Sequence, residues 1–294
     1  MPPFSAIDDR VSPGWRRQMA LKRVLVALGG SEYMDSAMAE AAQLARRNGA
    51  EIVGLAVMDE TLVDPVQAAP IGGGAAAADL REERTRKVRD GMQAAVERFD
   101  AFLARCGLPG RTLQIDGDAQ EAVVDAIRLS DIAIIGIRHA FDYGTIAHED
   151  DFIARVATAS NRPVIAMPHG ARPVSKVLAA YDGSNAAADA LRSFATLNAF
   201  DPSLVRVVRC GEDGEDGERD LAEARGYLEL HGYSVETLVL DGPPSTAILE
   251  HASSMEADLV VMGAVGRRGL SRLLAGDTAS SLLKTSSVPL FLRR

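Results

Sequence analysis

The sequence predicts an α/β fold: two tandem doubly wound domains, each built on a five-stranded parallel sheet. Three observations carry this reading. First, the chain repeats itself. Lys22–Ser31 aligns with Ser175–Ser184, Asp131–Gly136 with Asp258–Gly263, and Arg162–Met167 with Ser287–Leu292 around Pro163 and Pro289. Second, short runs rich in Val, Ile and Leu alternate with helical patterns, which is the signature of consecutive βαβ units. Third, those runs are apolar throughout instead of alternating, as expected for strands covered by helices on both faces.

Taken in order, Met1–Ala20 mixes Pro, Asp, Arg and the single Trp without periodicity, so residues 1–21 form an N-terminal extension in which Trp15 is free to pack against the body. The first domain spans 22–169 and the second 175–294. In the second, the strand Val177–Tyr181 ends in the turn Asp182-Gly183-Ser184, before an alanine-rich helix around Ala186–Leu197. There follow the strand Val205–Cys210, a helix around Glu218–His231, the strand Val235–Leu240 and a helix around Ser245–Glu256. The strand Leu259–Met262, a helix from about Asp277 to Lys284 and the strand Pro289–Leu292 complete the unit. The first unit follows the same plan and is longer mainly through Asp59–Asp79, whose prolines, three glycines and four consecutive alanines read as a mobile loop. Each unit's last strand would leave an apolar edge open, so Val164–Met167 and Pro289–Leu292 are expected to cover one another, an internal pseudo-dimer. A further homodimer is compatible with this pairing.

Composition narrows the function classes. The net charge of −9 disfavours nonspecific binding to nucleic acid or an anionic membrane, so a phosphate ligand must be held by local dipoles or a local basic cluster. Cys106 and Cys210 stand far apart and outside any C-x-x-C pair, which argues against a disulfide framework or a zinc site. No apolar run is long enough to span a bilayer and no secretory leader is recognisable, so the cytoplasm is the expected location.

The most informative segment follows the apolar run Leu259–Met262. Gly263 and Gly266 stand at the strand's exit and Gly276 lies ten residues beyond Gly266, with Asp277 and Thr278 opening the next helix. Without a Cβ, glycine lets the backbone approach a ligand closely, and the unpaired N–H groups of a helix start attract an anion. A strand-to-helix turn needs glycine for its own sake, so the bare turn is the competing reading. Ligands of doubly wound sheets bind beyond the carboxyl ends of the strands where the strand order reverses, the edge on which these turns lie.

Through these residues the chain resembles the universal stress proteins in their tandem two-domain form, over nearly all of 22–294. Gly263, Gly266 and Gly276 satisfy the spacing of that family's ATP-binding pattern, G-x2-G-x9-G followed by Ser or Thr. Asp182 matches the family's base-contacting aspartate after the first strand, and Asp241–Ser245 stands for the turn after the third. The resemblance implies the adenine nucleotide alpha hydrolase-like fold and a regulatory, stress-response module that binds ATP or another adenine nucleotide (ADP, AMP), with little or no turnover. Cys210, ending the strand beside the base pocket, is a candidate contact, and a buried structural thiol is its plainer reading. Arg267, with Arg268 and Arg272, is a candidate for the phosphates, against a solvated surface role.

One departure stands out. The position after the third glycine holds Asp277, with Thr278 one residue later; a carboxylate repels a phosphate, unless a bridging Mg²⁺, fewer phosphates or the nearby arginines compensate. Asp277 is equally suited to cap the last helix. The first unit lacks the pattern altogether: Gly29 replaces Asp182, His139 replaces Gly266 and Glu149 replaces Gly276, so no triphosphate is expected there. His148–Asp151 and the acidic run Gly211–Glu218 match no metal-ligand template and read as solvated loops. No nucleophile elbow or Walker-type Gly-Lys-Ser/Thr is present, and Leu28–Ser36 only faintly resembles a pyrophosphatase loop. Three readings remain: an adenine-nucleotide-binding module using the second domain, a stress protein acting through an unidentified protein partner, and, as a minor alternative, a weak ATP-hydrolysing enzyme.

Overall fold

The computed structural model describes residues 21–59, 74–138, 140–143, 151–170, 172–211, 214–264 and 277–294, with the side chains of 74–77, 215–216 and 277 set aside. Residues 1–20 of the expected extension, including Trp15, lie outside these residues, and Leu21, expected at its end, is buried in the core. Eighteen elements follow one another among the described residues. They are β1 (Arg23–Ala27), α1 (Glu32–Asn48), β2 (Glu51–Met58), α2 (Gly74–Cys106), β3 (Gly110–Asp116), α3 (Ala119–Ile127), β4 (Ile132–Gly136), α4 (Phe152–Ala159) and β5 (Val164–Met167). The second series is β6 (Lys176–Ala180), α5 (Asn185–Leu197), β7 (Leu204–Cys210), α6 (Glu215–Leu230), β8 (Val235–Leu240), α7 (Pro244–Ser254), β9 (Leu259–Gly263), α8 (Asp277–Thr285) and β10 (Leu290–Arg293).

All ten strands join one sheet in the order β3-β2-β1-β4-β5-β10-β9-β6-β7-β8. Every neighbouring pair is parallel except β5 with β10, which run antiparallel with Ile165 opposite Phe291. The expected pairing of the two last strands is therefore the seam of the molecule. On either side of it the strand order reverses, between β1 and β4 in one half and between β6 and β9 in the other. The central strands are buried along their length, as their unbroken apolar sequences require.

The repeat extends to single hydrogen bonds. The Asp131 carboxylate accepts from the backbone N–H of Lys22 (2.6 Å) and Arg23 (2.9 Å), and Asp258 accepts from Ser175 and Lys176 (3.0 Å each). Ser160 closes the turn before β5 through Arg162, as Ser286 does before β10 through Val288.

Two loop expectations are corrected. Helix α2 begins at Gly74, so Gly74–Asp79, expected within a mobile loop, is helical; the four alanines are the strongest helix formers and outweigh the glycine beside them. Helix α6 begins at Glu215, so half of the acidic run is helical, where negative side chains suit the positive pole of a helix.

Candidate functional site

The carboxyl ends of β9, β6 and β7 form adjacent rows of the sheet, and the sequence-predicted residues Gly263, Asp182 and Cys210 stand at these three exits. Strand spacing places Gly263 and Cys210 on either side of Asp182, about 10 Å apart across two strand intervals. Helix α8 returns from β9 to β10, so its N-terminus and Thr278 in its first turn belong to the same edge. Gly266, Arg267 and Gly276, with Arg268 and Arg272, lie outside the described residues. Helix α8 starts at Asp277, which places that residue in the first turn and the capping position at residue 276, also outside the described set.

Asp182 builds the turn from β6 into α5. Its Oδ1 accepts from the Ser184 N–H at 3.0 Å, Gly183 takes φ of +74°, and the Ser184 hydroxyl caps α5 by accepting from Ala187 N–H at 3.2 Å. The carboxylate is only partly buried. Gly263 has a packing reason for lacking a side chain: a Cβ there would lie 2.8 Å from the Ala187 nitrogen and 2.9 Å from the Ala186 carbonyl carbon. The missing Cβ thus brings the N-terminus of α5, a positive pole, against the exit of β9. Cys210 is half-buried, and burial pushes its thiol above the ordinary range, so it is protonated at neutral pH. Among the described residues no group of His, Cys, Asp and Glu is arranged to hold a metal ion.

The first half differs at the same edge through a residue the sequence reading passed over. Tyr143 is 7% exposed, and its hydroxyl donates to the Leu28 carbonyl at 2.9 Å while accepting from Val57 N–H at 3.2 Å. It thereby wedges between the ends of β1 and β2. Matching registers identify the equivalent positions in the second half: Leu28 N–H donates to Leu55 as Tyr181 N–H donates to Val208, so Leu28 corresponds to Tyr181 and Val57 to Cys210. Counting onward from Gly136 and Gly263, the place of Tyr143 falls on Leu270, which has no hydroxyl and lies outside the described residues. The expectation that the first half is closed rested on His139 and Glu149, both outside the described residues; the closure that is described comes from Tyr143. A lone tyrosine in a loop carries no sequence signal of this role, because the partners that define it are backbone atoms more than eighty residues away.

The sequence profile described as the Universal stress protein family matches residues 20–138 and 173–294. A universal stress protein of Synechocystis sp. is 24% identical over 282 residues, covering 92% of this chain and 98% of its own. One from Methanocaldococcus jannaschii is 36% identical over 75 residues, 26% of this chain and 44% of the relative. Among solved structures, a universal stress protein from Archaeoglobus fulgidus superimposes with a TM-score of 0.64 at 19% identity, covering 92% of this chain and 96% of that one, a likeness of fold. No helix among the described residues is long and apolar enough to cross a membrane.

Proposed function

The chain belongs to the universal stress protein family, and from that premise we propose that residues 175–294 bind an adenine nucleotide, ATP, ADP or AMP, as a regulatory module, with residues 22–169 as its internal pseudo-dimer partner. The observation that carries this reading is the asymmetry of the two carboxyl edges. Where the first half places the Tyr143 hydroxyl between the positions of Leu28 and Val57, the second half has Leu270 in the corresponding place in sequence. In the proposed complex the base lies between Asp182 and Cys210, where it meets the Cys210 main chain and a protonated thiol. The anionic tail runs toward Gly263, where the N-terminus of α5 supplies a positive pole, and on to Gly266, Gly276 and the first-turn amides at Thr278. Arg267 is placed by sequence to offset the charge of Asp277. The role is ligand-dependent bias of a conformational or partner equilibrium, with no turnover step.

Two measurements test it. Denaturing the purified protein and weighing any released small molecule identifies a resident nucleotide. Calorimetry with ATP, ADP and AMP, with and without Mg²⁺, compares wild type with Gly266→Glu, which puts a carboxylate where the phosphates are proposed to pass. Wild type is expected to titrate and the variant is not; matching isotherms from the two would refute the assigned pocket. If neither protein titrates, the tandem sheet acts as a docking body for a protein partner, the reading that Asp277 favours.

A further inference from the structure

We propose that Tyr143 is a built-in ligand of the first half: its ring and hydroxyl take the place at the carboxyl edge that a small molecule's ring would take, so this half is held permanently in its occupied form. The corollary, that only the second half answers to a free ligand, rests on the nucleotide-binding reading above; the occupancy of the first half does not.

The geometry is that of a seated ligand. In a parallel pair the ladder would continue from Val57 N–H to the Leu28 carbonyl; here the Tyr143 hydroxyl bonds to both groups at once. A hydroxyl that donates to one main-chain group and accepts from the next presents the same donor and acceptor pair as the edge of a heteroaromatic ring. Burial holds this phenol far above its ordinary range, so it is a neutral donor at neutral pH.

The chain has made room for it at two further places. Gly91 lies inside α2, where glycine is unfavourable, and a Cβ there would meet the Tyr143 Cβ and carbonyl oxygen, each at 2.8 Å. Gly30, at the exit of β1, donates its N–H to the Asp142 carbonyl at 2.7 Å, and a Cβ on it would lie 2.8 Å from that same oxygen. The neighbouring Phe141 anchors the segment in the core, 2% exposed and edge-on to Phe152 with ring centres 6.0 Å apart. The exit of β1, with β2, α2 and α4, thus converges on Phe141–Tyr143, which is the arrangement of a binding site closed on its own chain.

The test uses the full chain carrying Tyr143→Ala or Tyr143→Phe. Thermal unfolding of Tyr143→Ala is followed with excess phenol and, in parallel, with benzene. Phenol is expected to raise the midpoint by several degrees more than benzene, and to leave wild type where it was, because only phenol restores both hydrogen bonds as well as the ring. Equal shifts from the two compounds, or no shift from phenol, overturn the proposal. Should Tyr143→Ala not fold, Tyr143→Phe keeps the ring and loses the bridge. Amide exchange at Val57 is then expected to accelerate several-fold while Val53, inside the ladder, keeps its wild-type rate; unchanged exchange at Val57 overturns the proposal. No nucleotide enters either measurement, so their failure is distinct from failure of the titration described above.

Discussion

Glu40 shows how one residue in an otherwise ordinary helix shapes the protein's response to pH. It sits on the buried face of α1 with Ala37, Ala41 and Leu44, is 4% exposed, and has the Gln43 amide 3.5 Å from its Oε2. Burial raises its carboxyl from 4.5 to about 7. In the unfolded chain the group ionises near its ordinary value, so between these two limits the unfolded state has released a proton that the folded state retains. Stability contributed by this group is therefore greatest below about pH 4.5 and falls as pH rises toward 7, by up to about 3 kcal/mol. Glu40→Gln is expected to be more stable than wild type at pH 8 by an amount of that order. The gap should close below pH 5, as read from urea midpoints of the two proteins across the range; a gap independent of pH would contradict the assignment. Of the candidate site residues, Asp182 and Gly263 have places at strand exits that were legible in sequence, because each stands where an apolar run of the repeat gives way to a turn. What was not legible is that Gly263 lacks a side chain chiefly to admit α5.

The elements follow the sequence pattern closely wherever periodicity and turn chemistry agree. The second series of strands and helices departs from its sequence-predicted limits by at most a few residues, because each apolar run is bounded by Gly, Pro or a capping Ser. Helix α2 is where local rules mislead. An alanine at Gly91 would ordinarily stabilise a helix interior by roughly 1 kcal/mol. Here the new Cβ would press against both the Cβ and the carbonyl oxygen of Tyr143. Gly91→Ala is accordingly expected to destabilise the protein, by about 1–3 kcal/mol as overpacking does, in chemical denaturation. Both of those atoms remain in Tyr143→Ala, so the penalty of Gly91→Ala is expected to persist when the two substitutions are combined. A Gly91→Ala protein as stable as wild type, or more so, would show that α2 and the Tyr143 main chain do not meet.

At the scale of the molecule, the two halves share one sheet through a short antiparallel seam. Phe291 lies in the middle of it, fully buried, paired in register with Ile165 and edge-on to Phe194 with ring centres 6.1 Å apart. Side chains tie the halves together nearby: Arg138 donates to the Lys284 carbonyl at 2.7 Å, and Arg293 to the Ser160 carbonyl at 3.3 Å. Truncating the ring leaves a cavity at the junction, so Phe291→Ala is expected to lower stability by about 3–5 kcal/mol. Because the ring serves both halves, wild type should unfold in one transition and the variant in two, followed by fluorescence and circular dichroism in urea. A variant that still unfolds in a single step at an unchanged midpoint would show that the seam does not couple them.

The sequence by itself determined the repeat, the strand and helix order and the parallel character of each half, since all of these follow from local patterns read along the chain. Pairing of the last strands was also within its reach, because an apolar edge left open is unfavourable wherever it occurs. The tertiary structure alone decided how the first half is closed. Tyr143 meets Leu28 and Val57 through main-chain atoms, and Gly30 and Gly91 matter for the side chains they lack. Contacts to backbone and to empty space leave no pattern in the order of residues, so only the folded chain reveals them.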